Sequence, residues 1–395
     1  MKVLLVCPKP PWPPVDGGTF AMARMAAGLA GAGHRVHVLS AATPKHPGGG
    51  TRPAGVTAES VAVDTSIGPL GLLASLPGSR PYATARFASA AFSRRLEALL
   101  GGDSWDVVQL EGLGTYPHAA AVRRRARARL VVRAHNVEHA LFLERAERAG
   151  NALAAAFLRL EARRVERLEK QTWRLAHGIA AIGPEVAAAC SRETPASVAV
   201  VPLGVDVPAA PPPPGPPGAL LHLAAMDWWP NREGLAWFLA EAWPRVRSAR
   251  PGTTLRLAGR GMAGFAGGRA DDGVAVEGEV PDAAGFLASG AVLVVPLLSG
   301  SGVRVKIVEA MAQARAVVAT PRAVEGLGGV TPGEHLLVGE GAGGLAAAVV
   351  RALDEPGLAA RLGRGAWELA RERFSEEAVA RTAASFYHPL LSAEA

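Results

Sequence analysis

The sequence predicts an α/β protein made of two Rossmann-like, doubly wound domains facing a cleft, and three observations carry that expectation. The chain has 395 residues, more than one ordinary core accommodates. Short apolar runs rich in Val and Leu alternate with helical patterns through both halves, as parallel strands covered on both faces do. A proline run, PAAPPPPGPP at 208–217, splits that alternation in two. Proline lacks a donor and fixes φ, so the run reads as a semi-rigid linker.

Strands of the first half are expected at VLLVC (3–7), RVHVLS (35–40), SVAVD (60–64), DVVQLE (106–111), RLVVRAH (129–135), HGIAAIG (177–183) and SVAVVPLGVD (197–206). An Ala-rich helix from Thr19 to Ala32 joins the first two, closing at Gly31 and Gly33. A long helix spans about 152–175, with Leu158, Val165, Leu168 and Leu175 on an apolar face. Its other face carries Arg159, Arg163, Arg164, Arg167, Lys170 and Arg174, with Glu161, Glu166 and Glu169 interspersed. In the second half GALLHLAAM, TTLRLAGRG, GVAVEGEV, AVLVVPLL and RAVVAT read as strands, and the tail from Glu355 to Tyr387 as helix. The domains follow as 1–207, a linker at 208–218, 219–365, and a helical tail at 366–395 packing back across them.

Composition narrows the class. Hydrophobic residues make up 49% and charged residues 19%, a globular balance. Two cysteines, Cys7 and Cys190, make no disulfide framework and read as cytoplasmic thiols. The opening MKVLLVCPKPPWPP is a first strand running into prolines, its apolar run shorter than the roughly 7 to 15 residues a secretory signal needs. The longest uncharged stretch, 283–303, is broken by Gly285, Gly290, Pro296 and Gly300 and reads as helix, strand and loop rather than a membrane span. Residues 1–205 hold 25 Lys/Arg against 15 Asp/Glu, and residues 206–395 hold 17 against 20. The basic excess therefore belongs to the first half, where it suits anionic lipid, nucleic acid or phosphorylated substrates, or simply an Arg-rich surface.

The chemistry concentrates in VPLLSGSGVRVKIVEAMAQARAVVATPRAVEGL, from Val295 to Leu327. A buried strand ends at Leu298, and Gly300, Ser301 and Gly302 open a loop whose backbone can approach a ligand closely. A helix follows from about Val305 to Gln313, its N-terminal amides and dipole favouring an anion such as a diphosphate. Arg304 and Lys306 add two cations there, and Glu309, one turn in, is within reach of a ribose on the same ligand. A second strand ends in the loop containing Glu325, Gly326 and Leu327.

This segment resembles the donor-binding signature of family 4 (group 1) retaining glycosyltransferases of the two-Rossmann-domain, GT-B type. DGG at 16–18 resembles that family's first glycine loop. RAHNVEH (133–139), MDWWPNREGLAWFLAEAWP (226–244) and LRLAGRG (255–261) resemble a bacterial branch with an HNVE motif. The resemblance covers nearly the full chain. It implies that Lys306 holds the diphosphate with Arg304 as helper and that Glu309 accepts from ribose hydroxyls. It implies that Gly302, Val303, Gly326 and Leu327 line the phosphate and sugar pocket, with Glu325 alongside. Gly17 and Gly18 would face the diphosphate from the other domain, and His135 would approach the transferred sugar. Asn231, Arg232 and Arg260 are further donor-side candidates. The family pattern has two glutamates eight positions apart, of which Glu309 is the second, and Ser301 stands where the first would be.

What the resemblance implies is transfer from a nucleotide-diphosphate sugar to a glycan or lipid-linked hydroxyl with retention of configuration. A diphosphate oxygen would take the acceptor's proton, domain closure would exclude water, and no metal or other cofactor would be required. The place of work would be the cytoplasm, with peripheral contact at an anionic membrane and no nucleic acid partner. Three alternatives stay open: an inverting transferase with Asp16, His135 or Glu138 as base, a sugar-nucleotide epimerase, and a non-catalytic nucleotide-sugar-binding protein. A dinucleotide oxidoreductase is disfavoured, since no G-x-G-x-x-G follows the first strand.

Overall fold

The computed structural model describes residues 1–66, 78–125, 127–266, 273–300 and 302–392. By internal contacts the chain divides into two units. One combines Met1–Gly204 with Glu376–Ala395, and the other is Val205–Ser375.

The first unit is built on a seven-stranded sheet. Its strands are β1 (Lys2–Cys7), β2 (Arg35–Ala42), β3 (Val56–Ala62), β4 (Val107–Glu111), β5 (Arg129–Ala134), β6 (Gly178–Ala181) and β7 (Ser197–Val200). They lie in the order β3-β2-β1-β4-β5-β6-β7, all parallel. The apolar runs have the cause that was expected: Val3, Leu5 and Cys7 enter one core while Leu4 and Val6 enter another on the opposite face. The edge strand β3 reaches back to Val56, a start masked in the sequence by the polar Thr57 and Glu59.

Helix α1 (Gly17–Gly31) follows β1 and lies against the last helix of the chain, Glu376–Ser392. The approach is close: a Cβ at Gly28 would fall 2.7 Å from the Glu376 carbonyl oxygen. Val379, Ala383, Tyr387 and Leu390 of that helix complete the core that contains Val3, Met22 and Val131.

The long helix, α3 below (Ala152–Leu175), corrects the sequence reading of its faces. Its buried stripe runs through Ala155, Ala162, Val165, Glu169, Thr172 and Trp173, while Leu175 is 37% exposed and Leu158 and Leu168 are only half-buried. Glu161, Arg164 and Glu169, placed on the polar face by the sequence, are buried. The reason is hydrogen bonding. Arg164 pairs with Glu161 at 3.0 Å. Glu169 accepts from the Glu138 and His139 amides at 2.8 and 3.1 Å, at the start of helix α2 (Glu138–Glu147), and from His139 Nδ1 at 2.7 Å. A carboxylate buried on α3 thus satisfies the first amides of α2, which no helical carbonyl can reach.

The second unit has six parallel strands, β8 (Ala219–Leu223), β9 (Thr254–Ala258), β10 (Val274–Gly278), β11 (Val292–Val295), β12 (Ala316–Ala319) and β13 (Leu337–Val338), in the order β10-β9-β8-β11-β12-β13. The two-residue β13 is too short to show in a sequence pattern. Two parallel-sheet α/β units of this kind make the doubly wound, two-Rossmann-domain GT-B fold.

Candidate functional site

In a doubly wound sheet, ligands bind beyond the carboxyl ends of the strands where the strand order reverses. In the second unit that point lies between β8 and β11. The segment after β8 leads into helix α4 (Trp229–Trp237), and the segment after β11 leads into helix α5 (Val305–Ala312). The site is built from these two connections.

Arg304 is the N-cap of α5 and offers no side-chain cap to it. Its guanidinium instead donates from Nη2 to the Gly300 carbonyl at 2.7 Å and lies 5.4 Å from the centre of the Trp228 ring, so it braces the loop against α4. Lys306, in the first turn of α5, donates from Nζ to Asn231 Oδ1 at 2.8 Å, and Asn231 Nδ2 donates in turn to the Ala225 carbonyl at 2.8 Å. Asn231 is thereby fixed by backbone and holds the lysine. Burial, with Arg304 close by, lowers the Lys306 ammonium to about 7, against the opposing pull of Glu309. A cation so poorly solvated gains most from an arriving anion. Beneath it His222 on β8 is fully buried and donates from Nδ1 to the Val294 carbonyl at 3.0 Å. Burial and Lys306 push that imidazole down to about 3, so it is neutral.

Gly302 and Gly326 both hold left-handed backbone, with φ of 86° and 85°. A Cβ at Gly326 would be 3.7 Å from the Gly302 carbonyl and from Val303 Cγ2, so the loops after β11 and β12 meet there. Leu327 is buried beside them. The structure therefore brings together Asn231, Gly302, Val303, Arg304, Lys306, Glu309, Gly326 and Leu327. It leaves three candidates more loosely placed. Glu325 pairs with Arg322 at 2.5 Å, Arg260 pairs with Asp227 at 2.9 Å, and the exposed Arg232 lies 5.7 Å from the centre of the Phe265 ring. Ser301 lies outside the described residues.

In the first unit the reversal lies between β1 and β4. Gly17 and Gly18 open α1 there. Asp16 is its N-cap in a reciprocal capping box with Thr19, a device worth about 0.5 to 2 kcal/mol. Lys9 Nζ pairs with Asp16 at 2.5 Å, and His46 Nε2 lies 3.1 Å from the same oxygen. Burial acts to raise the Asp16 carboxyl, but Lys9, the Thr19 amide and His46 outweigh it and hold it well below the usual carboxylate range. A Cβ at Gly18 would sit 3.4 Å from Lys9 Nζ, which places that cation beside the glycine pair. The sequence reading had missed Lys9 and His46.

His135 follows the end of β5. Its Nε2 donates to Glu111 Oε2 at 2.8 Å, at the end of the neighbouring strand β4. Glu111 is fully buried, accepts from Gln109 Nε2 at 2.6 Å, and has Arg133 Nε at 3.8 Å. Burial works to raise this carboxyl, yet the hydrogen bond from His135 and the Arg133 charge prevail and lower it. The sequence did contain a signal for the pair. Glu111 and Arg133 are Cα partners in the β4–β5 register, opposite charges side by side near the ends of two mostly apolar strands.

Residues 15–208 match the family model Glycosyltransferase Family 4, and residues 217–355 match the model Glycosyl transferases group 1. Among solved structures, the chain is similar over its whole length to all of the sucrose-phosphate synthase of Thermosynechococcus elongatus, with 18% identity and a TM-score of 0.71. It is similar over 98% of its length to all of the Anabaena protein HepE in complex with UDP-glucose, with 15% identity and a TM-score of 0.67. It is also similar over 97% of its length to 99% of WaaG, a glycosyltransferase involved in lipopolysaccharide biosynthesis, with 15% identity and a TM-score of 0.64. No curated protein sequence matches the chain.

Proposed function

We propose that this chain, a glycosyltransferase of GT-B type carrying a Glycosyltransferase Family 4 domain followed by a group 1 domain, transfers a sugar from a nucleoside diphosphate sugar to a glycan or lipid-linked hydroxyl with retention of configuration. The observation that carries the reading is the desolvated Lys306 at the start of α5, held by Asn231 and flanked by Arg304 at the point where the strand order reverses. Breaking the glycosidic bond develops charge on the leaving diphosphate. Cations and helix amides fixed in advance stabilise that charge without reorganising. Glu309, one turn further on, is assigned the ribose, and the loops at Gly302, Val303, Gly326 and Leu327 the phosphates and sugar. In the first unit Gly17 and Gly18 are assigned the diphosphate and His135 the transferred sugar. The chain's own cations neutralise the leaving group, so no metal is invoked. HepE was solved with UDP-glucose, which supports this donor class.

The test is a thermal-shift screen across nucleoside diphosphate sugars, followed by NMR of the product's anomeric centre. A donor at 100 times its Kd stabilises the native state by about 2.7 kcal/mol. A protein stabilised by no member of the panel does not have this function. One observation favours a second reading, inversion: burial raises the Glu138 carboxyl to about 7, a value suited to a general base. Inverted product would select it.

A further inference from the structure

Four side chains in the first unit form an unbroken chain of hydrogen bonds. The Tyr387 hydroxyl, from the helix Glu376–Ser392, donates to Gln109 Oε1. The Gln109 amide nitrogen donates to Glu111 Oε1, and His135 Nε2 donates to Glu111 Oε2. Tyr387, Gln109 and Glu111 are all buried, and only His135 at the end of the chain has some exposure. Each link has a direction set by chemistry. The Glu111 carboxylate accepts only, so it fixes which end of the Gln109 amide faces it, and the Tyr387 hydroxyl donates to the oxygen at the other end. The end facing Glu111 is then NH2, a donor suited to a carboxylate. An ionised carboxylate only accepts, so the imidazole proton must sit on Nε2. In the neutral ring that leaves Nδ1 with a lone pair.

We propose that Glu111 is a positioning residue that fixes the tautomer of His135, its carboxylate held in place by Gln109 and, behind it, by Tyr387 of the helix Glu376–Ser392, so that Nδ1 presents an acceptor to a hydroxyl of the transferred sugar. The proposal rests on the reading that His135 contacts that sugar. Arg133, 3.8 Å from Glu111 and donating to the Pro202 carbonyl at 3.0 Å, supplies the buried counter-charge that keeps the carboxylate ionised. The chemical consequence is selectivity. A sugar whose hydroxyl at that position is replaced by hydrogen or by a group that only accepts leaves the Nδ1 lone pair unmet, and the site rejects it.

The test uses the full-length protein labelled with 15N-histidine, in which ring nitrogen shifts report the tautomer. The wild type should show His135 protonated at Nε2. Glu111→Gln offers an NH2 toward the ring and should move the proton to Nδ1. Transfer should fall about 10- to 100-fold in kcat, the worth of a charge-assisted hydrogen bond, with nucleoside diphosphate affinity unchanged. Tyr387→Phe should leave the proton on Nε2, since the carboxylate still only accepts, and lower transfer by about 2- to 10-fold through a less firmly held carboxylate. It removes a single hydroxyl, so it keeps the proposal testable where Glu111→Gln does not fold. A wild-type rate in either folded variant, or the wild-type tautomer in Glu111→Gln, would overturn the proposal. His135→Ala separates the two readings. If it lowers transfer while the Glu111 and Tyr387 variants do not, only the positioning chain fails. If it leaves transfer intact, the sugar-contact reading fails and Glu111's proposed role falls with it, whatever tautomer the ring shows.

Discussion

The Lys306 ammonium of helix α5 and the Asn231 carboxamide of helix α4, 75 residues apart in sequence, meet at 2.8 Å. The contact ties the connections that follow β8 and β11 at the point where the strand order reverses. It also gives the lysine a neutral anchor, which under the proposed function aims the ammonium before a diphosphate arrives.

Lys306→Ala should keep the fold and lower kcat by about 100- to 1000-fold, corresponding to the roughly 2.7 to 4 kcal/mol lost with one donor to a developing anion. Steady-state kinetics on the purified, folded variant check this. Asn231→Ala should act more mildly, by about tenfold, because the lysine keeps its charge and loses only its anchor.

The lowered Lys306 value has a sign that calorimetry can read. Without ligand the ammonium loses its proton through pH 7. A bound diphosphate favours the charged form, so the site takes up a proton on binding, and affinity falls as pH rises above 7. Titrations of UDP at pH 8 in buffers of different ionisation enthalpy should show uptake approaching a full proton, and at pH 6 little. Lys306→Arg, charged throughout, should abolish the difference. Equal uptake in the two proteins would place the titration elsewhere.

Glu309→Ala should weaken the free nucleoside diphosphate and the donor together, by about 1 to 3 kcal/mol, since a ribose contact is common to both. His135→Ala should leave the nucleoside diphosphate within about 0.5 kcal/mol while reducing transfer. The opposite ordering would exchange the two roles.

The first unit carries exposed arginines at Arg123, Arg124, Arg125 and Arg127, at Arg145 of α2 and Arg148 just after it, and on α3 at Arg159, Arg163 and Arg167. No helix among the described residues is long and apolar enough to cross a membrane. Leu153, at 85% exposure, and Leu143 stand among these charges. The apolar stretch at 66–79, SIGPLGLLASLPGS, falls almost wholly outside the described residues. Each Lys or Arg near an anionic surface contributes about 1 kcal/mol, screened by salt. Flotation should recover the protein with anionic vesicles at low salt and not at high salt, nor with neutral vesicles. Recovery in the unbound fraction under all four conditions would detach the charge asymmetry from membranes.

The parallel strands were legible because each is an uninterrupted apolar run that both faces of the sheet require, as Val3 to Cys7 show. The segment proposed to hold the donor stands out because strand, glycine loop and cationic helix start are adjacent in sequence. Contacts between distant residues were not. Asn231 looked no different from Arg232 until the fold set one against Lys306 and left the other outside. Glu111 was hidden inside a strand, since two of its partners, Arg133 and His135, come from β5 and the residue just after it. Glu169 was misread because a charged residue at a helical position is taken as solvated unless something buried needs its charge, and here the free amides of α2 do.

The helix Glu376–Ser392 completes the core of a unit whose other strands all come from the first 204 residues, and Tyr387 bonds to a glutamine 278 positions earlier. The intervening unit is a single continuous stretch. During synthesis from the N-terminus the second unit can therefore close as soon as it emerges, whereas the first must wait, its apolar face around Met22 and Leu29 uncovered, until the helix Glu376–Ser392 has emerged. A chain stalled or clipped before Glu376 presents one finished domain and one unfinished one, and is a client for chaperones and proteases rather than a smaller enzyme.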